Sequence, residues 1–156
     1  MARAPIMTAL LGVPAHPADR LAYDDALLGE RGGHGGVCEH CQTALDRIAD
    51  RAVGLMTADS IFAAFALYLS EKPGLGLIGS FAVIQLVLAV GLLCTCLWLF
   101  GPRATPDRSE PQAIAAYGLK LVRARTIRFT ISLWLSGTAY LFILTQVLLS
   151  LIWSPS

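Results

Sequence analysis

The amino-acid sequence predicts an all-α integral membrane protein with three transmembrane helices, a cytoplasmic N-terminus and amphipathic helical extensions in the cytosol. Hydrophobic residues make up 55% of the 156 residues, and the mean hydropathy is +0.61. Charged residues make up 15%, against about 25% in soluble domains. They are nearly absent from three long segments and crowded between them, as in polytopic membrane proteins. The net charge of +1 gives no global attraction to nucleic acid, so no nucleic-acid partner is predicted.

Residues 1–37 predict a flexible cytosolic N-terminal arm, since they are rich in Ala, Gly and Pro. Within the arm, "PADRLAYDDALLG" predicts one short helix, with Asp19 as its N-cap and Gly29 at its end. The "ERGGHGG" that follows indicates a flexible joint. A signal peptide at the start of the chain is the competing interpretation. Gly12 and Pro14 argue against it because they interrupt its short apolar stretch.

Residues 38–100 predict an amphipathic stub followed by a hairpin of two membrane spans. From Cys41 to Ala52 the apolar residues recur at helical spacing, and no helix breaker follows, so stub and first span should form one helix. The spans are predicted at 52–70 and 77–100, because a bilayer core of about 30 Å needs roughly 20 apolar residues. "SEKPGLG" between them predicts a tight turn around Pro73.

Residues 101–128 predict a cytosolic basic linker helix, and residues 129–156 a third span, at 129–153, with a short tail. Ser109 followed by Pro111 is a helix-start signal, and the helical pattern continues into the span. The arm, stub and linker hold eleven Lys and Arg residues, whereas the turn between spans one and two holds only Lys72. Because cytoplasmic loops are enriched in Lys and Arg, the N-terminus and linker are predicted on the cytoplasmic side of a bacterial inner membrane.

The stretch "GGHGGVCEHCQ" combines thiol and imidazole groups just before the first span. Thiolate and imidazole are the ligands that zinc prefers, and a structural zinc site takes four of them. Zinc is therefore a candidate cofactor, completed within the chain or across an oligomer. Two other interpretations stay open: redox chemistry at a thiol near a helix N-terminus, and thiols without a chemical role, which a reducing cytosol would keep unpaired. The candidate metal ligands are His34, Cys38, His40 and Cys41.

Asp59 is an ionisable residue well inside a predicted span. Charges at that depth are costly and face a protein interior or water, so burial should favour the protonated carboxyl group. A polar contact between helices and a proton or ion pathway are the two interpretations. The candidate intramembrane polar residues are Asp59, Gln85 and Gln146, and the hydrogen-bond partners expected for Asp59 are Gln85, Ser136, Thr138 and Gln146.

The linker helix carries a basic face next to an apolar stripe. One interpretation is that these cations hold the orientation of the protein in the membrane and contact anionic lipid, with each contact worth about 1 kcal/mol. The other is that they bind an anionic ligand such as a nucleotide. No Gly-rich phosphate loop accompanies them. The candidate residues are Lys120, Arg123, Arg125 and Arg128. Small residues around Ala64 and Gly137 would allow close helix contact, which favours a homo-oligomer.

The layout from residue 41 to residue 153 resembles the small transmembrane effectors of bacterial cyclic-nucleotide (Pycsar-type) anti-phage systems. A polar stub, "DRIADRAVGLMTADSIFAAF", leads into a two-span hairpin, and "VRARTIRFTISLWLSG" opens the last span. Those effectors commonly carry a lysine in the stub where this sequence has Arg51. The resemblance implies antiviral defence by a membrane-impairing effector gated by a cyclic nucleotide.

No nucleophile–base set or nucleotide-binding motif is readable, so the protein is not predicted to be an enzyme. The first functional hypothesis is an oligomeric inner-membrane effector that perturbs the membrane when a cytosolic ligand binds. The alternatives are an accessory or assembly subunit of a larger membrane complex and a metal- or thiol-handling membrane protein that uses the CEHC stretch. Its expected partners are the lipid bilayer and either further copies of the chain or subunits of that complex.

Overall fold

The part of the chain that the structure describes consists of α-helices, apart from a short turn at residues 31–33 and Glu71. This computed structural model describes residues 17–71, 76–97 and 111–152, with side chains from Leu21 onward, and no strand occurs in these ranges. The stretch with the competing signal-peptide interpretation, the turn around Pro73, the last three residues of the predicted second span, the first ten linker residues and the end of the third span lie outside them. The helices are α1 (Pro17–Glu30), α2 (His34–Ser70), α3 (Gly76–Leu97) and α4 (Pro111–Ile152).

Three of these helices are long and apolar enough to cross a membrane: α2, α3 and α4. The prediction of three helical spans is confirmed to this extent. With 37 and 42 residues, α2 and α4 measure about 55 and 63 Å at 1.5 Å per residue. Each is therefore longer than the hydrocarbon core of about 30 Å. The predicted continuity of stub with first span, and of linker with third span, is also confirmed.

The chain divides into two compact units, which we name by composition. The basic unit comprises the described parts of 1–51 and 96–130, and the apolar unit comprises those of 52–95 and 131–156. Every Lys and Arg whose side chain the structure describes belongs to the basic unit. Both α2 and α4 contribute residues to both units without a break in the helix.

The apolar unit packs through a seam of buried residues spaced alternately three and four apart. On α3 these are Ala82, Leu86, Ala89 and Leu93. On α4 they are Ser132, Ser136, Ala139, Ile143 and Gln146. This spacing keeps one face of each helix on its neighbours, as in a coiled coil. Large apolar side chains such as Leu77, Trp134 and Leu141 are exposed instead, which suits a surface that contacts lipid rather than water.

Gly79 is a point of close approach in the apolar unit. A Cβ atom at this position would lie 2.7 Å from Gln146 Nε2, 2.8 Å from Ser70 Cβ and 3.1 Å from the Ala66 carbonyl oxygen. A glycine there lets helix backbones come together, as small residues do in membrane helix packing. The sequence analysis assigned close contact to small residues on the first and third spans. Ala66 and Ser136 are buried, but Ala64 and Gly137 are exposed.

In the basic unit, a glycine turn joins α1 to α2. Gly32 and Gly33 have φ angles of 71° and 93°, a region that glycine enters without steric cost. The Gly33 amide donates to the Leu28 carbonyl at 3.1 Å, which is the hydrogen bond of a Schellman helix end. The helix predicted in the N-terminal arm is present and ends at Glu30. It begins at Pro17, so Asp19 lies within the helix and the prediction of Asp19 as its N-cap is wrong. The second helix begins at His34, four residues before the predicted start of the stub at residue 38. The helix can begin there because the glycine turn ends at Gly33.

A small apolar cluster packs α1 against α2 and α4 within the basic unit. Its buried members are Leu27, Val37, Cys41 and Ala115. The last turn of α1 and the first two turns of α2 are therefore anchored by apolar contacts. These contacts hold the first turns of α2 against α1 and α4 within the basic unit.

Candidate functional site

Asp59 is fully buried in the apolar unit, and α4 provides its polar contacts. The Tyr140 hydroxyl donates to Oδ1 at 2.6 Å, and the Ser136 hydroxyl contacts Oδ2 at 2.9 Å. Ser136 and Tyr140 lie four residues apart and so share one helix face. The Tyr140 ring packs on Phe62, with 4.4 Å between ring centroids. We name these three residues, Asp59, Ser136 and Tyr140, the carboxyl cluster.

The carboxyl cluster has more hydrogen-bond contacts than the hydroxyl groups of Ser136 and Tyr140 have protons to donate. The Ser136 hydroxyl lies 2.9 Å from Asp59 Oδ2 and 3.0 Å from the Ser132 carbonyl oxygen, but it has one proton to donate. If the carboxyl group donates to Ser136 Oγ, Ser136 can donate to Ser132, and each of the three contacts has its own proton. Among the described residues of the apolar unit there is no Lys or Arg to balance a carboxylate.

The structure brings together only part of the predicted polar set. Ser136 is confirmed as a partner of Asp59, whereas Thr138 is exposed and bonds to carbonyl groups of its own helix. Gln146 is fully buried, and Gln85 is half-buried with an Oε1 atom that has no donor among the described residues. Tyr140 was not among the partners predicted for Asp59. Its position one helical turn after Ser136 was the available signal.

The four predicted linker cations occupy different environments in the basic unit. Arg123 donates to Asp24 on α1 at 2.7 Å, and both side chains are about a quarter or less exposed. Arg125 is buried, and the Cys96 thiol donates to its carbonyl oxygen at 3.7 Å. Lys120 and Arg128 are exposed. Arg123 therefore has a structural partner that the sequence analysis did not foresee, and it ties α4 to α1.

The CEHC stretch lies on α2 with its side chains directed to different surroundings. Cys41 is buried in the apolar cluster with Val37, Cys38 is half-buried at its edge, and His40 lines a cavity described below. In the part of the chain that the structure describes, no three His, Cys, Asp or Glu side chains are grouped to hold a metal ion. Zinc binding by His34 and the CEHC residues with groups from a second chain stays a prediction.

Burial raises the pKa of the Cys41 thiol, with smaller contributions from Cys38 and Asp24. Because the thiolate is the reactive form, we expect maleimide to modify Cys38 at least about tenfold faster than Cys41 at pH 7.5. Labelling of single-thiol variants, with the other three cysteines replaced by serine, measures both rates. The difference should disappear in denaturing detergent. Equal rates in the folded protein would contradict the buried position of Cys41.

A cavity of about 410 Å³ lies between α2 and α4 within the basic unit. From α2 it is lined by basic side chains, and both helices contribute hydroxyl groups. We name it the cationic cavity. Its polar lining residues are His40, Arg47, Arg51, Thr43, Thr126 and Thr130.

No protein-family model, curated protein or solved structure matches this chain.

Proposed function

We propose that this chain is a non-enzymatic protein of a bacterial inner membrane that self-associates and perturbs the bilayer when a ligand meets its cytosolic helices. The observation that carries this proposal is the continuity of α2 and α4. Each helix runs unbroken from the basic unit, which holds the cationic cavity, into the apolar unit, which holds the carboxyl cluster.

A continuous helix supplies a physical link between a ligand and the membrane. Arg51 and Asp59 lie on one helix, eight residues apart in sequence. A helix keeps its internal hydrogen bonds when it tilts or rotates, so a displacement at one end moves residues at the other. Binding in the basic unit would then shift a two-state equilibrium of the apolar unit, by as much as the ligand prefers one state.

The apolar unit has the composition expected of a closed state. Asp59, Ser136 and Gln146 are fully buried, whereas many of its large apolar side chains are exposed. A rearrangement that separates α2 from α4 would expose Asp59 to water inside the bilayer, where polar groups line conducting or leaky paths. Gly54, Gly91 and Gly137 are exposed and have open space around them, which leaves room for copies of the chain to approach closely.

The proposed orientation places the basic unit in the cytoplasm. It follows from the eleven Lys and Arg residues outside the turn at Lys72 and from the enrichment of such residues in cytoplasmic loops. The resemblance to Pycsar-type effectors adds the proposal that the gating ligand is a cyclic nucleotide and that the role is antiviral defence.

Membrane depolarisation tests this function. We expect bacteria that express the chain to lose membrane potential, reported by a voltage-sensitive dye, when a nucleotide cyclase supplies a cyclic nucleotide. Gly54→Pro should abolish the response, because proline removes a helix hydrogen bond and kinks α2. Gly54→Ala is the matched control and should respond normally, since the site has open space.

Two outcomes would contradict the proposed function. One is a membrane potential that stays unchanged with every cyclic nucleotide supplied while the protein is present in the membrane. The other is purification in mild detergent with a different chain as a stoichiometric partner, which would favour an accessory or assembly subunit. A homogeneous self-oligomer would support the effector.

A further inference from the structure

The cationic cavity contains an excess of positive charge that nothing in its lining balances. Arg47 and Arg51 lie four residues apart and so occupy the same face of α2, and His40 lies two turns earlier on that face. No Asp or Glu is among the residues that line the cavity. Asp46 and Asp50, their neighbours along the chain, are exposed and do not line it.

These two arginines differ from Arg123 and Arg125 of α4. Arg123 is paired with Asp24, and Arg125 is buried. Arg47 and Arg51 are exposed, and among the side chains that the structure describes neither guanidinium has an ion-pair or hydrogen-bond partner. Two like charges at this spacing disfavour the helix slightly. A bound anion would remove that repulsion, and the guanidinium groups have the geometry to bind phosphate oxygens bidentately.

The rest of the lining indicates what the anion is attached to. The cavity has an apolar side made by Ala44, Ile48, Val122 and Phe129, and hydroxyl groups from Thr43 and Thr126. A small inorganic ion would leave the apolar side unused. A volume of about 410 Å³ lies within the range of pockets that hold small organic molecules, about 300–1,000 Å³.

We infer that the cationic cavity binds a phosphate ester, with Arg47 and Arg51 on the phosphate group and the Phe129 side receiving the organic part. The same chemistry has two sources: a phosphorylated small molecule and the headgroup of an anionic phospholipid. Arg51 directly precedes the predicted membrane span that begins at Ala52, so the site could also bind the headgroup of a phospholipid. This inference gives the chemical class of the ligand in the proposed function. Only the effect of binding on the membrane rests on that function, since binding itself is measured directly.

Binding to the purified full chain in an uncharged detergent tests the site. The probes are cyclic AMP and cyclic UMP as soluble esters, and dihexanoyl phosphatidylglycerol as a soluble phospholipid, with dihexanoyl phosphatidylcholine as its zwitterionic control. We expect Arg47→Ala and Arg51→Ala each to weaken binding of the preferred probe about tenfold or more, since a charge-assisted hydrogen bond is lost. Arg31→Ala removes an exposed arginine that does not line the cavity and should bind as the original chain does.

Each outcome decides the inference. Binding of a cyclic nucleotide that depends on Arg47 and Arg51 supports the site and a small-molecule source. Binding of phosphatidylglycerol alone, with the same dependence, supports the site and a lipid source. Absence of binding by all anionic probes overturns it, as does an equal loss in Arg31→Ala. Helical circular dichroism confirms that each variant is folded. Intact binding without depolarisation would refute the proposed function and leave the site standing.

Discussion

Replacing Gly79 by leucine should destabilise the helix packing of the apolar unit by about 2 kcal/mol or more, because overpacking a close contact forces backbone shifts. A Cβ at this position would lie 2.8 Å from Ser70 Cβ and 3.1 Å from the Ala66 carbonyl oxygen. Neither is the end of a flexible side chain. The helices must therefore move apart, which also disturbs the buried contacts of the neighbouring seam.

The matched control for this prediction is Gly91→Leu on the same helix. Gly91 is exposed, and no atom lies within 4 Å of the position that a Cβ would take there. The same change in helix propensity and hydrophobicity therefore occurs without a clash. Unfolding of the purified protein by a denaturing detergent, followed by circular dichroism, measures both variants. If Gly79→Leu and Gly91→Leu unfold at the same detergent fraction, the close approach at Gly79 is wrong.

Asp59→Leu should destabilise the protein clearly more than Asp59→Asn. Asparagine reproduces the protonated carboxyl group, since its Nδ2 donates to Ser136 and its Oδ1 accepts from Tyr140. Its stability should stay within about 0.5 kcal/mol of the original chain, because neutral hydrogen bonds are retained. Leucine leaves both hydroxyl groups without their partner on α2, which should cost about 1–3 kcal/mol.

The same detergent unfolding measures this pair, and Tyr68→Phe serves as a control that removes an exposed tyrosine hydroxyl. Tyr140→Phe removes the 2.6 Å hydrogen bond and should fall between the two Asp59 variants. A loss in Asp59→Asn as large as that in Asp59→Leu would mean that Asp59 is bound as a carboxylate, contrary to the proton count at Ser136.

The sequence by itself determined the helices and their apolar segments. Whether a segment favours lipid over water depends on the sum of its own side chains. The uncharged run before Leu97 and the run that follows Arg128 were therefore readable without knowledge of any neighbour. The continuity of α2 through Ala52 was readable for the same reason, since no Pro interrupts the local pattern.

Only the tertiary structure decided which side chains meet. The partners of Asp59 lie 77 and 81 residues away in sequence, and the partner of Arg123 lies 99 residues away. The cationic cavity likewise needs Arg47 and Phe129 on facing helices. Such pairs depend on the rotation and axial shift of one helix against another. The rotation and the axial shift are set by the packing of all contacting residues together, including the close approach at Gly79. They cannot be read from the periodicity of one segment.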